Sequence, residues 1–233
     1  MVFDPQEPGT GYASRDAPFG GVLKTTDGGA SWTNVSTGLI TEGVCVNTCI
    51  LDLVIDPTSP KALYAGAPGH GVFKTIDAGE TWVSTNNNHA SEMLALVSAH
   101  PSTVYSGGSV FAETGLEKTT DGGETWIDLP HQPNLPPPWV TTYHRAFEVD
   151  PEDPNSIWWA LEDGASDKVK LYHSSNGGLF WSLADEGLEG ARVLDFAFRN
   201  GSLMAATNDG IFQINTVFAD GFESGNLSAW TVP

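Results

Sequence analysis

One short phrase recurs four times along this 233-residue chain. It reads KTTDGGASW from Lys24 to Trp32, KTIDAGETW from Lys74 to Trp82, KTTDGGETW from Lys118 to Trp126, and HSSNGGLFW from His173 to Trp181. Its acid or amide, at Asp27, Asp77, Asp121 and Asn176, returns at intervals of 50, 44 and 55 residues. A fixed phrase at this period marks a repeat architecture, in which each supersecondary unit buries its apolar face against the next.

The phrase has the chemistry of a tight hairpin. The Asp or Asn side-chain oxygen is expected to bond backbone N–H groups two residues on. The glycine pairs supply positive φ where a side chain would clash, and the second copy replaces the first glycine with Ala78. The tryptophan, at Trp32, Trp82, Trp126 and Trp181, is an apolar wedge suited to packing between neighbouring units. Asp27, Asp77, Asp121, Asn176 and the four tryptophans therefore read as structural, not as catalytic acids and a sugar platform. Upstream of each later copy, alternating apolar runs lie between Gly and Pro punctuation, giving strand, Asp-Pro turn, strand, loop, strand, phrase, strand. The Asp-Pro slots are assigned to Asp4-Pro5, Asp56-Pro57, His100-Pro101 and Asp150-Pro151, where Pro presets φ. His100 is then a turn residue. No long segment has helical period.

Period and strand count match one propeller blade. The phrase resembles the Asp-box, or BNR repeat, of sialidases, sortilin-type receptors and xyloglucan-cleaving hydrolases, and the resemblance covers about residues 1–215. It implies an all-β propeller of four-stranded antiparallel blades. The box would sit between the third and fourth strands, on the face away from the ligand site. Because the family is functionally mixed, the resemblance implies a fold and not a reaction. Five blades are expected. The first opens at MVFDP with a short inner strand, and the fifth, from Ala191 to Asn215, has three strand candidates and no box. Either another part of the chain supplies the missing outer strand and closes a five-bladed ring, or the chain is a piece of a larger propeller. Five repeats of about 45 residues nearly fill the chain, which favours the ring. Residues 216–233 form a C-terminal tail or the closing outer strand. They resemble a tail of secreted bacterial proteins, and Leu227 to Val232 also suits a strand.

The formal charge is −19, with ten Lys and Arg against 29 Asp and Glu. Such a surface repels phosphate backbones and anionic lipid, so nucleic acid is excluded as a partner and membrane insertion is not expected. No P-loop, zinc motif, nucleophile elbow or Cys–His pair appears, and no metal or cofactor is expected. Cys45 and Cys49, in a C-x3-C spacing, read as a local disulfide in a secreted protein or as two buried thiols. The absence of a transmembrane run and of a leader fits a mature secreted or periplasmic monomer.

A ligand site is expected among the loops opposite the boxes, because propeller loops there surround the central channel. The longest linker, Ile127 to Phe147, carries a stiff Pro136–Pro138 run and then Trp139, Tyr143, His144 and Arg145. An aromatic ring, an imidazole and a guanidinium together suit a polar ligand such as a sugar or peptide. A Pro-rich cover packing Trp139 on a neighbouring blade is the plainer reading. Arg15, Arg192 and His70 are further ligand-binding candidates. Asp16, His89, Glu92, Glu113, Glu162 and Asp163 are weaker candidates on the same face, and each of these residues alone, Arg15, Arg192 and His70 included, reads as solvated surface. Three of the four arginines, Arg15, Arg145 and Arg192, map to this face, a bias that suits a carboxylate. The Arg-Ile-Pro signature and Tyr–Glu nucleophile of sialidases are absent. The leading reading is a secreted binding or scaffold module for protein or glycan. The alternative is a glycoside hydrolase of xyloglucanase or sialidase type, whose two carboxylates would lie about 5–9.5 Å apart across a cleft. A photosystem assembly factor ranks last, since that family favours a basic arginine patch.

Overall fold

The computed structural model describes residues 1–15, 20–39, 50–85, 91–110, 113–129, 142–163, 168–184, 188, 191–199, 201–215 and 230–231. The chain is all-β: five four-stranded antiparallel sheets, the blades of a five-bladed β-propeller. It divides into two compact units, Met1–His131 and Gln132–Pro233. Among the described residues no helix is long and apolar enough to cross a membrane.

The first unit holds three blades. Blade one is β1 (Val2–Phe3), β2 (Gly11–Ser14), β3 (Val22–Thr25) and β4 (Thr33–Asn34). Blade two is β5 (Asp52–Ile55), β6 (Leu63–Ala67), β7 (Gly71–Thr75) and β8 (Val83–Ser84). Blade three is β9 (Met93–Leu96), β10 (Val104–Val110), β11 (Glu113–Thr119) and β12 (Ile127–Asp128). The second unit holds blade four, β13 (Thr142–Val149), β14 (Ile157–Asp163), β15 (Lys168–Ser174) and β16 (Ser182–Leu183). It also holds blade five, β17 (Val193–Arg199), β18 (Ser202–Thr207), β19 (Gly210–Asn215) and β20 (Trp230–Thr231). Each sheet follows chain order, so sequential hairpins account for every pairing. The three strands from Val193 to Asn215 gain their fourth from Trp230–Thr231, which pairs with Gln213 and Ile214.

Burial follows position in the blade. β6, LYAGA, is buried at all five residues because both faces of a middle strand are covered. Its Gly66 is required by close approach: a Cβ there would lie 2.7 Å from Ser91 Oγ. The fourth strands of the first four blades have two residues each, which leaves little free edge for pairing with another chain. In the first unit Tyr12, Val22, Leu53, Leu63, Ala65 and Trp82 form one core, and Tyr64, Val72, Leu94 and Val104 another. In the second, Trp158, Leu171, Val193, Phe196 and Leu203 pack together. Burying one large apolar side chain of this kind contributes about 1.5–3 kcal/mol before entropy is charged.

The repeated phrase forms the turn between third and fourth strands in blades one to four. Its bonding differs from the expected two-residue reach. In the first copy Asp27 Oδ1 accepts the Ser31 N–H four residues on at 2.9 Å, and the Ser31 hydroxyl donates to Oδ2 at 2.6 Å. The short-range work belongs to Thr25. Its hydroxyl donates to Asp27 Oδ1 at 2.8 Å and accepts the N–H of Asp27 and Gly29 at 3.3 and 2.9 Å. The same set recurs around Asp77 with Thr75 and Thr81, and around Asp121 with Thr119 and Thr125. A threonine two residues earlier is thus part of the motif, and it is buried because its oxygen closes the turn from inside.

The Asp-Pro assignment needs one correction. Asp4, Asp56 and Asp150 donate their N–H to the carbonyl six residues on, and in blade three Val97 does so, to Thr103. Val97 therefore fills the Asp slot. His100 aligns with Glu7, Ser59 and Asp153, each of which accepts the N–H three residues on. The proline common to all four turns is the later one, Pro8, Pro60, Pro101 and Pro154, at the first position of that tight turn. Each of these turns is tied to the repeated turn of its own blade. The N–H of Gly28, Ala78, Gly122 and Gly177 donates to Gly9, Lys61, Ser102 and Asn155 oxygen, every one at 2.9 Å.

Adjacent blades in the first unit are latched at the same end. Lys74 Nζ and the Tyr64 hydroxyl both donate to Gly122 oxygen, at 2.7 and 3.1 Å, and Lys24 Nζ reaches Ala78 oxygen at 3.4 Å. In the reverse direction Trp82 Nε1 donates to Val35 oxygen at 2.8 Å and Trp126 Nε1 to Thr85 Oγ1 at 3.1 Å. Both indoles thus reach the preceding blade. Trp32 and Trp181 turn their N–H onto their own Gly29 and Gly178 oxygens instead.

Candidate functional site

With the repeated turns at one end of blades one to four, the other end carries the loops between second and third strands and the entries to the inner strands. In the second unit this end gathers charge. Glu162 stands near the end of β14 and is 4% exposed. Arg192 stands one residue before β17. Its Nε and Nη2 donate to Glu162 Oε2 at 3.1 and 2.9 Å, and Nη2 also reaches Oε1 at 3.2 Å. The Arg192 side chain remains 47% exposed. Its backbone is fixed as well: the N–H donates to Asn208 Oδ1 at 2.6 Å, and its oxygen accepts the Asn208 N–H at 3.1 Å. Asn208 belongs to the β18–β19 loop, so blades four and five meet here through one guanidinium.

The expectation that Glu162 is solvated surface is corrected. Its neighbour in register across β13 is Tyr143, and Leu161 pairs with His144. The register then slips between His144 and Ala146, leaving Arg145 as the extra residue of a bulge. Bulges re-aim side chains and recur beside functional sites. Tyr143, His144 and Arg145 thus occupy the inner-strand entry next to the Glu162–Arg192 pair. Trp139 lies outside the described residues, as do Asp16, His89, Cys45 and Cys49.

Arg15 and His70 sit at the corresponding end of blades one and two, in the first unit. The Arg15 N–H donates to Gly21 oxygen at 2.9 Å across the β2–β3 loop, and His70 is exposed at the β6–β7 turn. Asp52, which the sequence did not single out, has a packing role: its Oδ2 accepts the Leu94 N–H at 2.8 Å and joins blades two and three. Among the described residues no group of three or more His, Cys, Asp or Glu side chains is placed to hold a metal. Asn208 carried no signal in the sequence, because a single Asn in a turn is ordinary turn chemistry.

The likeness to solved proteins is to β-propellers. A GH74 xyloglucanase from Xanthomonas campestris superposes with a TM-score of 0.68 at 19% identity, covering 98% of this chain and 37% of that one. PorZ of Porphyromonas gingivalis, described as a surface component of the type-IX secretion system, gives 0.65 at 16% identity, over 90% of this chain and 31% of that one. A nidogen/laminin complex gives 0.58 at 16% identity, over 88% of this chain and 74% of that one. This chain therefore spans about a third of the length of the first two. At these identities the likeness is one of fold. No family model matches the chain, and no curated protein matches it.

Proposed function

We propose that this chain is a secreted or periplasmic β-propeller binding module, acting as a monomer, whose four repeated turns are Asp-boxes and whose ligand face is the opposite end. The centre of recognition is the mouth of blades four and five, where Arg192 is held against buried Glu162 beside Tyr143, His144 and Arg145. The single observation carrying this reading is the Arg192 geometry. Two of its nitrogens are committed to Glu162, while half of the side chain faces water. A guanidinium pre-oriented in this way loses little rotamer freedom when a further acceptor arrives. The ligand is a protein or glycan offering carboxylate, carbonyl or hydroxyl oxygens. Both Glu162 oxygens accept from Arg192, which makes this carboxylate a poor nucleophile or general acid and favours binding over hydrolysis.

The test is a glycan array and a peptide panel with the wild-type chain, followed by Arg192→Lys and Tyr143→Ala. Loss of the captured ligand in both variants, with unchanged melting temperature, supports the reading. Release of reducing sugar that vanishes in Glu162→Gln would replace it with the glycoside hydrolase.

A further inference from the structure

We propose a second interaction surface at the opposite end of blade four, where the turn carrying Leu179 and Phe180 accepts a basic protein segment with apolar side chains. In the first three copies the residues before the tryptophan are Ala30-Ser31, Glu80-Thr81 and Glu124-Thr125. In the fourth they are Leu179-Phe180, 55% and 57% exposed. The acid of the turn is also gone, replaced by uncharged Asn176. Phe180 keeps the backbone bond to Asn176 Oδ1, at 2.8 Å, so the turn itself is intact. Two adjacent large apolar side chains on a turn tip add nothing to that turn, and their hydration opposes leaving them in water.

Charge selects the occupant. The turn is bonded through Gly177 N–H to Asn155 oxygen of the β13–β14 turn, which carries Asp150, Glu152 and Asp153. An apolar turn bonded to a neighbouring turn that carries three acidic residues complements lysine or arginine flanking leucine-like side chains, and the net charge of −19 disfavours acidic surfaces, including a second copy of this chain. This surface is separate from the ligand face and does not depend on it.

The experiment uses the full chain and two soluble peptides by titration calorimetry: an amphipathic helix of leucine and lysine, and a control in which every leucine is serine. The variant is Leu179→Glu with Phe180→Thr, which restores the residues of the second and third copies and so keeps the turn. Saturable binding of the leucine-lysine peptide, weakened about tenfold or more in the variant, supports the surface. Binding should also weaken as salt rises from about 0.1 to about 1 M. Equal binding of the serine control, or binding unchanged in the variant, overturns it. So does sedimentation showing wild-type self-association that the variant abolishes, since the occupant would then be a second copy.

Discussion

His173 lies flat on Trp158, with ring centroids 4.2 Å apart and planes 27° apart. The two are register partners on β15 and β14. The same cross-strand pair is Lys24 with Tyr12, Lys74 with Tyr64 and Lys118 with Tyr105, each ammonium 4.9–5.5 Å from its ring centroid. Blade four has replaced a cation over a phenol with an imidazole on an indole.

That exchange makes blade four sensitive to mild acid. Burial holds the His173 imidazole down to about 4 from its ordinary 6.5, against the opposing pull of Asp153 and Asp150. Protonation is thus disfavoured in the folded state, so stability is full above the unfolded value and is lost as pH falls from about 6.5 towards 4. The loss is on the order of 3 kcal/mol. Denaturant titrations of the second unit's fluorescence at pH 7.5 and 4.5 measure it. In His173→Lys this limb of the profile should flatten; an unchanged limb would assign it to another group.

A separate limb at lower pH belongs to the turns. The Ser31 hydroxyl, then its N–H, then Thr25 hold Asp27 down to about 2, and Thr75 with Thr81 does the same for Asp77. Asp121 is held lower still, chiefly by Thr125. Folded values below the unfolded ones stabilise the fold above about 4, and this is lost as pH falls towards 2. Carboxyl-detected titration of Ser31→Ala should show Asp27 moving back towards 3.8 while Asp77 stays put.

Ala78 is the described non-glycine residue with positive φ, at 62°. The other three turns have glycine there. Ala78→Gly should raise stability by about 0.5–1 kcal/mol, the relief of a left-handed alanine less the added freedom of the unfolded chain. A melting temperature that falls instead would mean that the methyl packing against the blade-one and blade-two core outweighs the strain.

Asn176 and Phe180 should be coupled. Elsewhere the second carboxylate oxygen is satisfied by a hydroxyl four residues on, which Phe180 cannot supply. Asn176→Asp alone should destabilise by about 1 kcal/mol, because it introduces a charge short of one donor, and Phe180→Thr alone should be near neutral. Together they should exceed the sum of the single effects by about 1 kcal/mol in a double-mutant cycle. Additivity would disprove the pairing.

The blades were readable because their signals are local and repeated: alternating apolar strands, an Asp turn and a tryptophan at a steady period. Thr25, Thr75 and Thr119 give no turn signal in the sequence, because threonine there reads equally well as a strand residue. His100 reads as the Asp slot because a proline follows it, as one follows each Asp, and the backbone pairing gives that place to Val97. The Glu162–Arg192 pair was not legible at all. Its members are 30 residues apart, and their contact depends on where two blades bring a strand end and an inner-strand entry. Glu162 in LEDGASDK has the composition of a wet loop, and burial alone makes it different.

The latches of the first unit run both ways: Lys74 of blade two serves a carbonyl of blade three, and Trp82 of blade two serves one of blade one. The repeated turns of blades two and three are each held in part by groups of the blade before them. Transplanting a single blade into another scaffold would strip a carbonyl of its lysine on one side and leave an indole with no acceptor on the other. Exchange between such proteins has to proceed by overlapping neighbours, and drift in one repeat is constrained by the residues of the next.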